Sequence, residues 1–210
     1  MPTNRRGGLI VISAPSGAGK TTLVRKALNS RDDLAFSISY TTRPSRPREK
    51  DGVDYCFVTE SEFQDMISRD EFLECAQVFG HWYGTSRDSV EALRAAGKTV
   101  LLEIDWQGAD QIRTRESTAI SLFILPPSRP ELERRLRGRG TDSKENIGRR
   151  LREALTDMAQ WEKFDYVLIN EDVDTAVAEF KSILDGQGDA HQVNSPAVRR
   201  KAEQILANSS

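Results

Sequence analysis

The sequence predicts an α/β fold in which a mainly parallel sheet is flanked by helices. Three observations predict it. Short apolar runs rich in β-branched residues recur along the chain, as buried parallel strands require. Stretches with apolar residues at helical spacing lie between or after them. The first run passes through a glycine-containing turn straight into the first helical stretch, the order that opens a βαβ unit.

Leu9-Ile10-Val11-Ile12 is that first run, and Thr21 to Asn29 places Leu23, Val24, Ala27 and Leu28 on one helical face. Helical patterns follow over Glu60 to Arg69, through Phe63, Met66 and Ile67, and over Asp88 to Ala96, through Val90 and Leu93. Thr99 to Ile104 and Ile120 to Leu125 are the next buried strands. Lys144 to Trp161 carries Ile147, Leu151, Leu155 and Met158 at helical spacing, Tyr166 to Ile169 is a further strand, and Asp174 to Leu184 is a helix through Val177, Phe180 and Ile183. This alternation is that of an α/β sheet. Two stretches break it. Ser37 to Arg87 holds short mixed segments and aromatics and is expected to be an inserted subdomain. Pro126 to Arg152 starts at a double proline and contains Gly138-Arg139-Gly140, a breaker inside a basic helical pattern, and is expected to be a mobile helical lid. The glycine-containing stretch after Gly186 reads as a linker and Pro196 to Ala207 as a surface helix. The expected organisation is one domain over 1–186, with core segments 8–36, 88–125 and 153–186, the insert at 37–87, the lid at 126–152 and a tail at 187–210.

A chain of 210 residues is long enough for a full core, and 38% hydrophobic content is adequate for one. The net charge of −2 calls for neither nucleic acid nor an anionic membrane. The charge is unevenly spread: Pro126 to Arg152 holds nine Lys/Arg against four Asp/Glu, a basic segment suited to a small anionic ligand. Cys56 and Cys75 form no disulfide framework and no zinc motif, and they read as reduced thiols. No apolar run approaches membrane-spanning length, and Met1 to Gly8 lacks the apolar stretch of a signal peptide, so a cytoplasmic protein is expected.

Ala14-Pro15-Ser16-Gly17-Ala18-Gly19-Lys20-Thr21 follows the first strand and completes the GK[ST] half of the GxxxxGK[ST] phosphate loop, with Ala14 in place of the first glycine. Backbone N–H groups of such a loop converge on phosphate oxygens, and the helix N-terminus adds partial positive charge. Gly17 and Gly19 supply unusual dihedrals, Lys20 reaches the β- and γ-phosphates, and the Thr21 hydroxyl ligates Mg²⁺. Alanine substitutes for glycine wherever φ is negative, and Pro15 favours an extended Ala14. The fold is therefore expected to be of the P-loop NTPase type. Leu101 to Asp105 ends a second strand in acid at the crevice where α/β sheets bind ligands. Asp105 there serves the Mg²⁺ water shell, a nucleotide base, or the cap of the turn into Trp106-Gln107-Gly108; Glu103 lies two residues earlier on the same strand face.

Six separated motifs resemble the guanylate kinases, the bacterial ones most: Ser13 to Lys20, Thr41-Thr42-Arg43-Pro44, Phe79 to Thr85, Ile104 to Gly108, Arg135 to Gly140 and Ile169-Asn170-Glu171-Asp172. The resemblance spans Leu9 to about Leu184. It implies transfer of the γ-phosphoryl of ATP to GMP, and to dGMP alongside it, with Mg²⁺ accompanying ATP. It makes 37–87 the GMP-binding region. Arg43 and Arg46 would hold the GMP phosphate as bidentate forks, helped by the Tyr55 and Tyr83 hydroxyls. Ser39, Glu74 and Thr85 match positions that read guanine, with Glu103 and Asp105 nearby. A carboxylate accepts from guanine N1–H and N2–H₂, donors that adenine lacks. Thr22 extends the loop's ATP contacts, Arg135 and Arg139 match arginines that approach the ATP phosphates, Arg150 matches one that bridges donor and acceptor, and Asn170 lies beside adenine. Arg134, Arg137, Arg149 and Arg152 have no such match and read as a solvated face.

This chain departs from the family pattern at Ala14, at Glu103 where Asp is usual, and at Arg48 where glycine is usual. Lys20, Arg43, Arg139 and Arg150 are the expected catalytic cations. The expected partners are ATP and GMP, with no nucleic acid and no membrane; a homodimer is compatible with the sequence. Two alternatives differ at particular residues. A kinase for AMP, dTMP or UMP would not need Glu74 and Ser39. A non-catalytic module of the same family would not keep Lys20, Thr21 and the lid arginines.

Overall fold

The computed structural model describes residues 6–138 and 144–207. Its elements run β1 (Leu9–Ser13), α1 (Lys20–Leu28), β2 (Leu34–Phe36), β3 (Tyr40–Thr41), β4 (Cys56–Phe57), α2 (Glu60–Ser68), β5 (Phe72–Val78), β6 (His81–Ser86), α3 (Arg87–Ala95), β7 (Thr99–Glu103), α4 (Trp106–Arg115), β8 (Ile120–Leu125), α5 (Arg129–Arg137), α6 (Lys144–Met158), β9 (Tyr166–Ile169), α7 (Val173–Leu184) and α8 (Pro196–Ala207). The apolar runs are the buried strands expected. Helix starts are set by short polar side chains that accept from the third backbone N–H of the helix: Thr59 in a capping box with Glu62, Ser86, Asp105, Ser128 and Asp172.

Strands order β2-β7-β1-β8-β9 in one sheet, with β2–β7 and β8–β9 parallel. The second sheet orders β4-β3-β6-β5, with β6 antiparallel to both neighbours. The fold is the α/β class expected, a parallel sheet flanked by helices. Periodicity missed three things. β2 is too short to show a period. α4 occupies the stretch read as a turn after Asp105. The helix expected to reach Trp161 stops at Met158, and Trp161–Lys163 is a separate 3-10 turn.

The chain divides into two compact units, residues 1–11 with 31–120 and residues 12–30 with 121–210. In the first, β5 and β6 are anchored by an aromatic stack. Phe63 of α2 is fully buried, with its ring centroid 4.4 Å from Phe72 and 5.8 Å from Trp82. Gly84 makes room for that stack, since a Cβ there would lie 2.7 Å from the Phe72 ring. The β5–β6 register is irregular between Phe72 and Glu74, which brings Glu74 opposite Thr85.

In the second unit, Ser121 joins the start of β8 to the β9 side, donating to the Asp165 carboxylate through its N–H (2.8 Å) and hydroxyl (2.7 Å). Ala176, Val177, Phe180 and Ile183 of α7 are buried. The stretch after Gly186, expected as a linker, is instead bonded to β9: Val193 N–H donates to the Asp165 carbonyl at 2.9 Å, and Gln192 bridges to Tyr166. α8 follows, with Val198, Ala202 and Ile205 buried, so a patterned apolar face holds the tail in place. No helix among the described residues is long and apolar enough to cross a membrane.

Candidate active site

The loop Ala14–Thr21 and the residues expected around it lie in the second unit. Gly17 and Gly19 have φ of 96° and 93°, the left-handed region that favours glycine, while Ala14 is not among the residues at positive φ. Ala14 is thus accommodated for the reason the sequence suggested. Gly19 is required twice over, because a Cβ on it would lie 2.4 Å from Asn170 Nδ2. Asn170, 3% exposed, donates from Nδ2 to the Ala18 carbonyl at 2.7 Å. Arg135 donates to the same carbonyl (3.3 Å) and to the Asn170 carbonyl (3.1 Å), and Glu131 holds its Nε at 2.7 Å. Arg150 donates to the Ser16 hydroxyl at 2.7 Å. Arg135, Arg150 and Asn170 therefore converge on the loop although they lie 117, 134 and 152 residues from the loop residues they bond. Lys20 opens α1 half-buried, and Thr21 and Thr22 are exposed on its first turn. Arg139 lies outside the described residues. Replacing Gly19 with alanine is expected to cost about 1–3 kcal/mol in urea unfolding, from left-handed strain and the Asn170 clash together.

Glu131 is a residue that sequence reasoning missed. Arg134 and Arg135 hold its carboxyl down at about 2. The signal was present as Ser128-Arg129-Pro130-Glu131, a helix start with an acid three residues after the cap. Arg134 and Arg137 pair with Glu131 and Glu133 on the exposed side of α5, and Arg149 pairs with Glu153 on α6, as a solvated basic face would.

The residues expected to read the acceptor lie in the first unit. Glu74 is 3% exposed and accepts from the Thr85 hydroxyl at 2.6 Å. Burial, reinforced by the Asp105 charge, pushes its carboxyl up to about 7, against the opposing pull of Thr85 and Arg115. Asp105 caps α4, with Oδ1 accepting from Gly108 N–H (2.9 Å) and Oδ2 from the Gln107 amide (3.0 Å). Its capping reading is thus realised, one oxygen to each partner. Ser39 is buried, and its carbonyl accepts from Cys56 N–H. Tyr55 and Tyr83 pack edge-on at 5.9 Å, and burial, then the Glu103 charge, pushes the Tyr55 phenol up to about 12.

Arg43 lies 5.3 Å over the Tyr55 ring and 5.8 Å over Phe57, a cation held on aromatic faces. Burial acts to lower its pKa, but the Glu49 carboxylate at 2.9 Å and the Tyr83 hydroxyl more than offset this, and the net direction is upward. Arg46 is 70% exposed and meets Glu49 only at 3.8 Å, although its own N–H donates to Glu49 at 2.8 Å. Glu49 was not singled out from sequence, where one acid in a charged loop carries no distinguishing pattern. It orients Arg43 and closes the turn carrying Arg46 and Arg48.

A family model described as guanylate kinase matches residues 6–187. The guanylate kinase of Escherichia coli (strain K12) is 50% identical over 181 residues, covering 85% of this chain and 87% of that one. The guanylate kinase of Hydrogenovibrio crunogenus is 52% identical over 178 residues, covering 85% and 87%. A crystal structure of guanylate kinase from Anaplasma phagocytophilum superposes with a TM-score of 0.73 at 33% identity, over 95% of each chain. This chain belongs to the guanylate kinase family.

Proposed function

We propose that this chain transfers the γ-phosphoryl of ATP to GMP, giving ADP and GDP, with the second unit holding the donor and the first reading the acceptor. The observation that carries the acceptor assignment is Glu74, a buried carboxylate held by Thr85, which shares a face of β6 with Tyr83 of the Arg43–Tyr55–Tyr83 group. A carboxylate there accepts two bonds from guanine and is left unpaired against adenine, a penalty that separates substrates strongly. Ser39 adds a hydroxyl. Arg43 and Arg46 take the GMP phosphate, for which Glu49 is the resting partner, with Tyr55 and Tyr83 as neutral donors. The raised Tyr55 value keeps that phenol protonated at neutral pH.

The loop, Lys20, Arg135 and Arg150 take the ATP phosphates, and Asn170 shapes the loop end. Arg139 is assigned to the same task. Mg²⁺ fits this donor set as a substrate-borne ion. Of the loop's two hydroxyls Ser16 accepts from Arg150 and Thr21 is the one assigned to the ion, so the metal would be held mostly by phosphate and water, and it would neutralise charge on the triphosphate.

The attacking oxygen belongs to a phosphate already largely ionised at neutral pH, so no general base is needed. Two like charges ~4 Å apart repel by about 4 kcal/mol at an effective dielectric near 20, and each substrate carries several. Positioning and cationic stabilisation therefore do the catalysis. The test is a coupled assay of ADP formation over GMP, dGMP, AMP, dTMP and UMP with ATP and Mg²⁺. GMP and dGMP are expected to exceed the others by about 10²-fold or more in kcat/KM. Equal rates on AMP or dTMP would overturn the guanine assignment.

A further inference from the structure

Glu74 is aimed by something other than its own strand. β5 is an edge strand of its sheet, and its ladder with β6 shifts register between Phe72 and Glu74, leaving Leu73 without a cross-strand partner. Such irregularities re-aim the neighbouring side chain and leave backbone groups to be satisfied elsewhere. Here α4 satisfies them. Arg115 donates to the Leu73 carbonyl at 2.8 Å. The Gln111 side-chain amide takes both free groups of Cys75, accepting from its N–H at 3.2 Å and donating to its carbonyl at 2.7 Å, as a neighbouring strand would. The residues bonded in this way, Leu73 and Cys75, flank Glu74.

Gly108 lies one turn before Gln111, on the same face of α4. It has no backbone reason to be glycine: its φ is not positive, and alanine would favour the helix by about 1 kcal/mol. Its reason is space. A Cβ at Gly108 would lie 2.3 Å from Glu74 Oε2 and 2.9 Å from its carboxyl carbon. One oxygen of Glu74 is held by Thr85, and the other rests against the bare backbone of Gly108.

We propose that Gly108, Gln111 and Arg115 are specificity-determining positioning residues: one face of α4 splints the irregular edge of β5 and leaves the space in which the Glu74 carboxylate is presented to the purine. Arg115 also favours the ionised carboxylate electrostatically. The proposal rests on the reading of Glu74 as the guanine acceptor.

The test compares Gly108→Ala and Gln111→Ala in the intact chain, each with residue 74 unchanged and in the Glu74→Asp background. Each single variant is expected to raise KM for GMP about tenfold while KM for ATP stays within about twofold. Glu74→Asp withdraws the carboxylate by one methylene, so adding Gly108→Ala to it is expected to cost less than about twofold more. The proposal is overturned if Gly108→Ala costs the same in both backgrounds, if both KM values rise together, or if KM for GMP does not move. Should Gly108→Ala fail to fold, Gln111→Ala carries the test by the same split between the two KM values. Glu74→Gln separates the two levels of inference. If it leaves the preference for GMP over AMP intact, the guanine reading falls. If it abolishes that preference while the helix variants do nothing, only the splint falls.

Discussion

Lys20→Ala is expected to lower kcat/KM for GMP-dependent ADP formation by about 10³-fold, with the melting temperature little changed. Lys20 opens α1 next to Gly19, in a loop whose two left-handed glycines alternate with Ala18. That alternation suits an anion-binding concavity, and the helix end behind it adds partial charge. Neither can follow the charge that builds on the transferring group, whereas a flexible ammonium can. Arg135 and Arg150 join it at the phosphates but do not replace it, because each also holds the loop, at the Ala18 carbonyl and the Ser16 hydroxyl. The side chain is half-buried on a helix start, so its loss opens no core cavity. The check is steady-state kinetics alongside thermal unfolding. Undiminished ADP formation would remove Lys20 from the mechanism. ADP formation by the unsubstituted chain already separates an enzyme from a binding module of the same family.

Glu74→Gln is expected to have the second largest effect, a loss of about 10²–10⁴-fold in kcat/KM for GMP, because an amide presents one acceptor and one donor where the N1–H and N2–H₂ edge of guanine offers donors only. A pH signature goes with it. Burial raises the Glu74 carboxyl from its ordinary 4.5 to about 7 in the ligand-free fold, and only the ionised form serves guanine. KM for GMP should therefore rise as pH falls through about 7. The GMP phosphate itself titrates near about pH 6 and contributes equally to both proteins, so the difference between wild type and Glu74→Gln isolates the carboxyl.

Stability follows the same group with a definite sign. The folded value is raised, so the folded chain holds a proton that the unfolded chain releases above 4.5. The contribution is complete below that pH and is lost as pH rises through about 7. Glutamine has no such loss. The melting temperature of Glu74→Gln relative to wild type should therefore climb between pH 5 and pH 8, and a flat difference would mean the carboxyl is not perturbed.

The local half of this protein is legible in its sequence. Leu9 to Ile12, Ile120 to Leu125 and Tyr166 to Ile169 announce themselves as buried strands because a strand covered on both faces must be apolar throughout. The phosphate loop is equally plain, since left-handed turns need glycine and the adjoining lysine and threonine stand at fixed spacing. The motif resemblance went further and named Glu74, Arg43 and Asn170, but as residue types at positions, with no statement of what surrounds them.

Tertiary structure decided the rest. Glu74 on its own would read as a surface carboxylate; it is buried because β5 pairs with β6 in an irregular register that sets it opposite Thr85. Gln111 and Arg115 touch β5 across 36 and 42 residues of chain, and Glu49 gains meaning only once Arg43 folds over Tyr55. The tail read as a linker because glycine dominates its start, yet its helix buries Val198, Ala202 and Ile205. Periodicity encodes which way a side chain faces within its own element. Burial, the partner across a sheet and the resulting shift in proton affinity depend on elements distant in sequence, and those were settled only when the chain closed on itself.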